Sequence, residues 1–164
     1  MKSVTLIRHV KSDWTNLVSD LDRPVREDRK EDATLIAKEI AKTGRLPQYI
    51  ISSPANRTLQ TAQLLSDQWR YPVKDIATEK GLYECAASDI LHLIKSVDDK
   101  YDYIAIVCHN PAITNFTNRF SETHIANVPT TGAVHFTFDI NHWKDVNDNG
   151  KVDWLLRPKE LKAA

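Results

Sequence analysis

Val4-Thr5-Leu6-Ile7-Arg8-His9-Val10-Lys11-Ser12 is the stretch on which the reading of this chain turns. Val4 to Ile7 form a short β-branched and apolar run, which reads as a buried strand. Arg8 and His9 follow at once, two side chains ill suited to continue it. A continuous apolar run suits a parallel strand covered on both faces. Polar groups at its carboxyl end suit a binding edge, because open α/β sheets hold ligands outside the carboxyl ends of their strands.

The pattern occurs twice more. Tyr49 to Ile51 precede Ser52-Ser53-Pro54-Ala55-Asn56-Arg57, and Tyr103 to Val107 precede Cys108-His109-Asn110-Pro111. Helical spacing fills the intervals. Ala33, Ile36, Ala37, Ile40 and Ala41 recur at i, i+3, i+4, i+7 and i+8 before Gly44, a C-terminal cap. A second helix is predicted from about Pro54 to Trp69. Ser88 is placed to cap a third carrying Ile90, Leu91, Ile94 and Val97, and Asn110-Pro111 to open a fourth with Ile113, Phe116 and Phe120.

Alternating strands and helices imply a single three-layer α/β/α domain over residues 1–164, with a mainly parallel central sheet. Val134, Phe136 and Phe138 then alternate with His135 and Thr137, and Asn149-Gly150 stands before Val152 to Leu156. That predicts a C-terminal antiparallel hairpin. Lys159 to Ala164 is the segment expected to fray.

Composition narrows the functional classes. The chain has 164 residues, 41% hydrophobic and 27% charged, with 22 basic and 22 acidic side chains. No strong net field favours nucleic acid or a membrane surface, so any bound anion must be held locally. Arg8 and His9 interrupt the first apolar run before it could serve as a signal peptide, and the expected location is the cytoplasm. Cys85 and Cys108 lack zinc or disulfide spacing, so reduced thiols are expected. His92, His124 and His142 suggest no metal site, and His135 is expected at the outer pocket. Asp145 to Gly150 imitates the start of a calcium loop but has Leu156 where the bidentate glutamate belongs, so it reads as a turn.

If the strands are parallel, Arg8, Arg57, His9, His109 and two helix N-termini converge on one edge. Arginine presents an always-charged fork matched to phosphate oxygens, and a helix start adds N–H donors and a favourable dipole. A neutral imidazole is a competent nucleophile, and neighbouring arginines disfavour its protonation. His9 is the expected attacking residue and His109 its electrostatic partner. Ser12 and Thr131 offer hydroxyls that could contact the phosphate.

LIRHVKSDW, DLDRPVRED, ISSPANRTLQTAQLL, VCHNPAITNF and PTTGAVHFTFD together make the chain resemble the histidine phosphatase superfamily, and especially its SixA-type phosphohistidine phosphatases. The resemblance implies that His9 is transiently phosphorylated while Arg8, Arg57 and His109 hold the phosphoryl oxygens. Arg23 matches an additional basic residue that some SixA-like members place beside the pocket. Val10 departs from the small residue usual after Arg-His, and Cys108 stands where Gly or Ser often precedes the second histidine. Glu84 occupies about the region where many superfamily members carry a general acid.

The expected function is therefore a metal-independent phosphatase with no cofactor, acting on phosphohistidine in a protein partner. A phosphomonoesterase for small metabolites and a non-catalytic phosphate-binding module are the alternatives. Short connections leave little sequence for a lid and favour an open pocket. Oligomeric state is not legible in the sequence.

Overall fold

The computed structural model describes residues 1–163. Strand β1 spans Lys2–Arg8, followed by α1 (Lys30–Ala41), β2 (Tyr49–Ser52), α2 (Asn56–Trp69), β3 (Ala77–Thr78) and α3 (Ala87–Lys95). The chain continues through β4 (Tyr103–Cys108), α4 (Ala112–Phe120), β5 (Ala133–Phe138), β6 (Gly150–Leu156) and α5 (Pro158–Ala163). These strands form one six-stranded sheet in the order β3-β2-β4-β1-β5-β6. The pairs β3/β2, β2/β4 and β4/β1 are parallel, and the pairs β1/β5 and β5/β6 are antiparallel.

Strand periodicity explains the layers. Side chains alternate across the sheet, so Val4 and Leu6 join Ile104, Ile106, Ile113 and Phe116 in a core on the α3/α4 side. Ile7 joins Ala105, Val107, Ile36, Ile40 and Leu65 on the α1/α2 side. The central runs Val4 to Ile7 and Tyr103 to Val107 are almost wholly apolar because both faces are covered, Thr5 being the exception, with its hydroxyl on Tyr103 and His135.

Four expectations shift. Helix α3 begins at Ala87, so Ser88 lies inside it; the Asp89 carboxylate accepts the Ala86 N–H at 2.8 Å instead. Helix α2 begins at Asn56 rather than Pro54 and ends at Trp69, where Arg70 just beyond it, with φ of 56°, supplies the left-handed turn usually given to glycine. The segment expected to fray is helical among the described residues: Lys159 to Ala163 belong to α5, with Lys162 Nζ 2.5 Å from Asp32 Oδ1 on α1, while Ala164 lies outside them. His135 is no pocket residue, because it is buried mid-sheet, 2.8 Å from Thr5 Oγ1 and stacked on Trp154 at 4.8 Å.

The antiparallel pair forms as expected, with one refinement. Gly150 is the first residue of β6 and pairs with Phe138. A Cβ at Gly150 would lie 2.2 Å from the Phe138 ring, so glycine is required here by close approach.

Candidate active site

The β1 carboxyl end is clamped on both sides. His9 N donates to Cys108 O at 3.3 Å, and Arg8 N donates to Gly132 O at 3.0 Å. Thr131 N lies 3.0 Å from the carbonyl oxygens of both Arg8 and His9, in a backbone with φ of 62°. The sheet edge thus fixes the direction in which Arg8 and His9 leave the strand. Val10 turns away: its side chain is fully buried against Val25 and Ala33, and its N–H donates to Thr61 Oγ1.

The imidazole of His9 lies 5.5 Å, centroid to centroid, from that of His109 at the end of β4. Nδ1–H of His9 donates to the Val10 carbonyl at 2.7 Å. A ring nitrogen that donates carries the proton, so the lone pair of the neutral ring resides on Nε2. Burial holds the His9 pKa down at about 4; Arg57 and Arg8 push the same way, against the Val10 hydrogen bond. Burial, then Arg57 and His9, take His109 down to about 3. Both rings are neutral near pH 7. Arginine repulsion contributes as the sequence suggested, but desolvation is the larger cause.

Arg57 stands in the first turn of α2 and reaches back to the β1–α1 connection. Its Nη1 donates to Asp20 O at 2.7 Å and its Nη2 to Asp20 Oδ2 at 3.2 Å. Arg23 Nη1 donates to Asp20 Oδ1, and the Arg23 guanidinium lies 3.4 Å from the Trp14 ring centroid. Arg8 Nη1 donates to Val128 O at 2.9 Å, while its buried Nε has no partner. Four groups from distant parts of the chain, His9, Arg23, Arg57 and His109, are each only 8–9% exposed. The loop from Ser12 to Val25, closed at its base by a bridge between those residues, carries Asp20 and Arg23 to the site.

The remaining candidates fall at different depths. Thr131 is fully buried with an unpaired hydroxyl, beneath the site rather than on its surface. Ser12 lines a neighbouring groove of about 600 Å³ with Trp14 and Arg26. Glu84 is exposed, in a backbone with φ of 54°. Cys108 is buried in the α3/α4 core, and burial pushes the Cys85 thiol up to about 11, so neither offers a thiolate near pH 7. Among the described residues, no group of three or more His, Cys, Asp or Glu could hold a metal ion.

Two residues escaped the sequence reading. Asp20 joins Arg23 and Arg57, and hydrogen bonding to Tyr83, then Arg23, holds its carboxyl far below the usual range. Tyr83 donates its hydroxyl to Asp20 Oδ2, and its ring meets that of His109 edge-on, with centroids 6.0 Å apart. Ser53, in the polar cluster after β2, has its hydroxyl 2.8 Å from His109 Nε2. Asp20 lies in the DLDRP stretch and Tyr83 beside Glu84, but composition and periodicity do not distinguish a carboxylate aimed inward from a solvated one.

Such a site can hold a tetrahedral anion between guanidinium groups and present a neutral nitrogen to its central atom. Known proteins share the fold that carries this site. The SixA protein histidine phosphatase complexed with tungstate superposes with a TM-score of 0.81 at 17% identity, over 97% of this chain and 99% of that one. A phosphohistidine phosphatase SixA structure from Agrobacterium tumefaciens gives 0.80 at 23% identity, over 96% and 98%. A phosphoserine phosphatase from Entamoeba histolytica, in its H9A variant with phosphoserine, gives 0.68 at 16% identity, over 98% and 100%.

Among curated sequences, an uncharacterized chloroplastic protein of Arabidopsis thaliana is 37% identical over 68 residues. That match takes in 41% of this chain and 31% of the relative, so less than a third of the relative's length is spanned. No helix among the described residues is long and apolar enough to cross a membrane. The family model for the histidine phosphatase superfamily, branch 1, matches residues 4–101, so this chain, folded like the SixA proteins, belongs to that superfamily.

Proposed function

We propose that the chain is a phosphatase that passes a phosphoryl group through His9 to water, with phosphohistidine on a protein partner as its substrate. One observation carries the reading: His9 spends its Nδ1 proton on the Val10 carbonyl and so keeps a lone pair on Nε2, within a site that also holds His109, Arg23 and Arg57.

In the first step the P–N bond to His9 Nε2 forms as the bond from phosphorus to the leaving group breaks. In the second, water attacks phosphorus, His9 departs with its electron pair, and orthophosphate is released. Phosphoryl transfer needs mostly positioning and charge stabilisation, which Arg8, Arg57 and Arg23 supply at fixed places. Ser53 holds the His109 ring in place beside the reacting oxygens. A leaving imidazole needs less protonation than an alkoxide, and the exposure of Glu84 suits a reaction that does not depend on a buried acid.

Brief exposure to substrate followed by denaturation should trap acid-labile phosphate on the protein, and His9→Ala should abolish it. A fully active His9→Ala enzyme would overturn the reading, whereas a wild-type chain that binds phosphorylated partners with no turnover and no trapped phosphate would mark a phosphate-binding module. A metabolite phosphomonoesterase is the second reading, favoured by the likeness to the phosphoserine phosphatase fold. Turnover of phosphohistidine against a panel of phosphate esters separates the two. Loss of ester turnover in Glu84→Gln, with phosphohistidine turnover intact, would mark Glu84 as an acid for esters. The cytoplasm is the proposed location, in keeping with two free cysteines.

A further inference from the structure

The phosphoryl-transfer scheme makes no use of Asp20, yet this carboxylate sits on the arginines that the scheme assigns to phosphate. Its Oδ2 accepts from Arg57 Nη2 at 3.2 Å and from the Tyr83 hydroxyl, and its Oδ1 accepts from Arg23 Nη1. Its main-chain oxygen takes a further Arg57 donor, Nη1, at 2.7 Å. Three side-chain donors converging on one ionised group is the arrangement an oxyanion ligand would have.

The positions of the partners show which of them can leave. Arg23 and Arg57 are each 9% exposed, whereas the Asp20 side chain is 46% exposed. The carboxylate therefore reaches inward from solvent, while the cations it meets are built into the floor. The adjoining backbone is tied to helix α2: Asn56 N donates to Leu21 O at 2.8 Å, and Asn56 Nδ2 donates to Asp22 O at 3.0 Å. Rotation of the Asp20 side chain alone would free Arg23 Nη1 and Arg57 Nη2, while Arg57 Nη1 stays on the Asp20 main-chain oxygen and holds the guanidinium in place.

We propose that Asp20 is an internal counter-anion: its carboxylate occupies Arg23 and Arg57 in the resting site, and phosphoryl oxygens displace it on binding. The inference rests on the assignment of those arginines to phosphate made above. Its consequence is a control on affinity. A site whose binding-competent form is a minor fraction binds more weakly by that fraction. Asp20 in place about nine-tenths of the time would weaken orthophosphate binding about tenfold and so speed product release.

Calorimetric titration with orthophosphate tests this in the wild type, Asp20→Ala and the shape-conserving Asp20→Asn. Both variants should bind orthophosphate about tenfold more tightly, by the fraction argument above. Unchanged or weaker binding in Asp20→Ala and Asp20→Asn would overturn the proposal and make Asp20 a group that merely orients the arginines. A tungstate-bound structure of the wild type should show the carboxylate out of hydrogen-bond reach of Arg57 Nη2, and a carboxylate still seated there would also overturn it. Neither measurement requires turnover, so failure of His9 phosphorylation and failure of the Asp20 exchange are separately visible.

Discussion

Lowering the pH perturbs His9 directly, and the structure fixes where the effect should begin. The attacking imidazole must be neutral, and burial has brought its pKa from 6.5 to about 4. An ordinary histidine at pH 5.5 would be only about 10% neutral, whereas one titrating at about 4 would be roughly 97% neutral. The rate of His9 phosphorylation should therefore be nearly flat from pH 8 down to about 5.5. It should fall tenfold per unit only below about 4. The assay is rapid-quench measurement of the phosphoenzyme from a substrate whose own ionisation is known independently, with kcat/KM corrected for that ionisation. An acid limb centred near 6.5 would show a solvated nucleophile and refute the reasoning from burial.

The same shift ties stability to pH. His9 and His109 are held neutral in the fold while the unfolded chain takes up protons below about 6.5, so their contribution is complete above that value and is lost as the pH falls toward 4 and 3. Urea denaturation at pH 5 should show about 2 kcal/mol less stability than at pH 7.5 from His9 alone. Arg57→Ala should lower kcat/KM by about 10³ with an unchanged circular dichroism spectrum, since it removes a fixed cation from the transferring group. Ser53→Ala leaves a buried His109 nitrogen without its partner and should cost about 1–3 kcal/mol, read as a lower melting temperature together with a lower kcat. Gly150→Ala drives a methyl group into the Phe138 ring and should cost about 1–3 kcal/mol in thermal denaturation while leaving the site's chemistry intact.

Much of the fold was legible because its signals are local. The runs at Val4, Tyr49 and Tyr103 became β1, β2 and β4, and the Ala33–Ala41 periodicity became α1 with Gly44 beyond it at φ of 82°. Strand β3 was not foreseen, since Ala77 and Thr78 make too short a segment to carry a pattern. The Ser88 expectation failed because any serine before a helical run resembles a cap, whereas the backbone chose the Asp89 carboxylate. His135 was misplaced because alternation gives the face of a strand but not what lies across it; Thr5 and Trp154 do.

By itself the sequence determined the parallel arrangement and, through it, the meeting of Arg8, His9, Arg57 and His109, because polar residues were written directly after each apolar run. Only tertiary structure decided the state of those groups. Burial, a quantity no linear pattern carries, made both imidazoles neutral. Loop closure across the pocket brought the Asp20 carboxylate onto Arg23 and Arg57, and the turn after Lys80–Leu82 brought in Tyr83. Contacts of that kind depend on distances between segments remote in the chain, which short-range propensities do not encode.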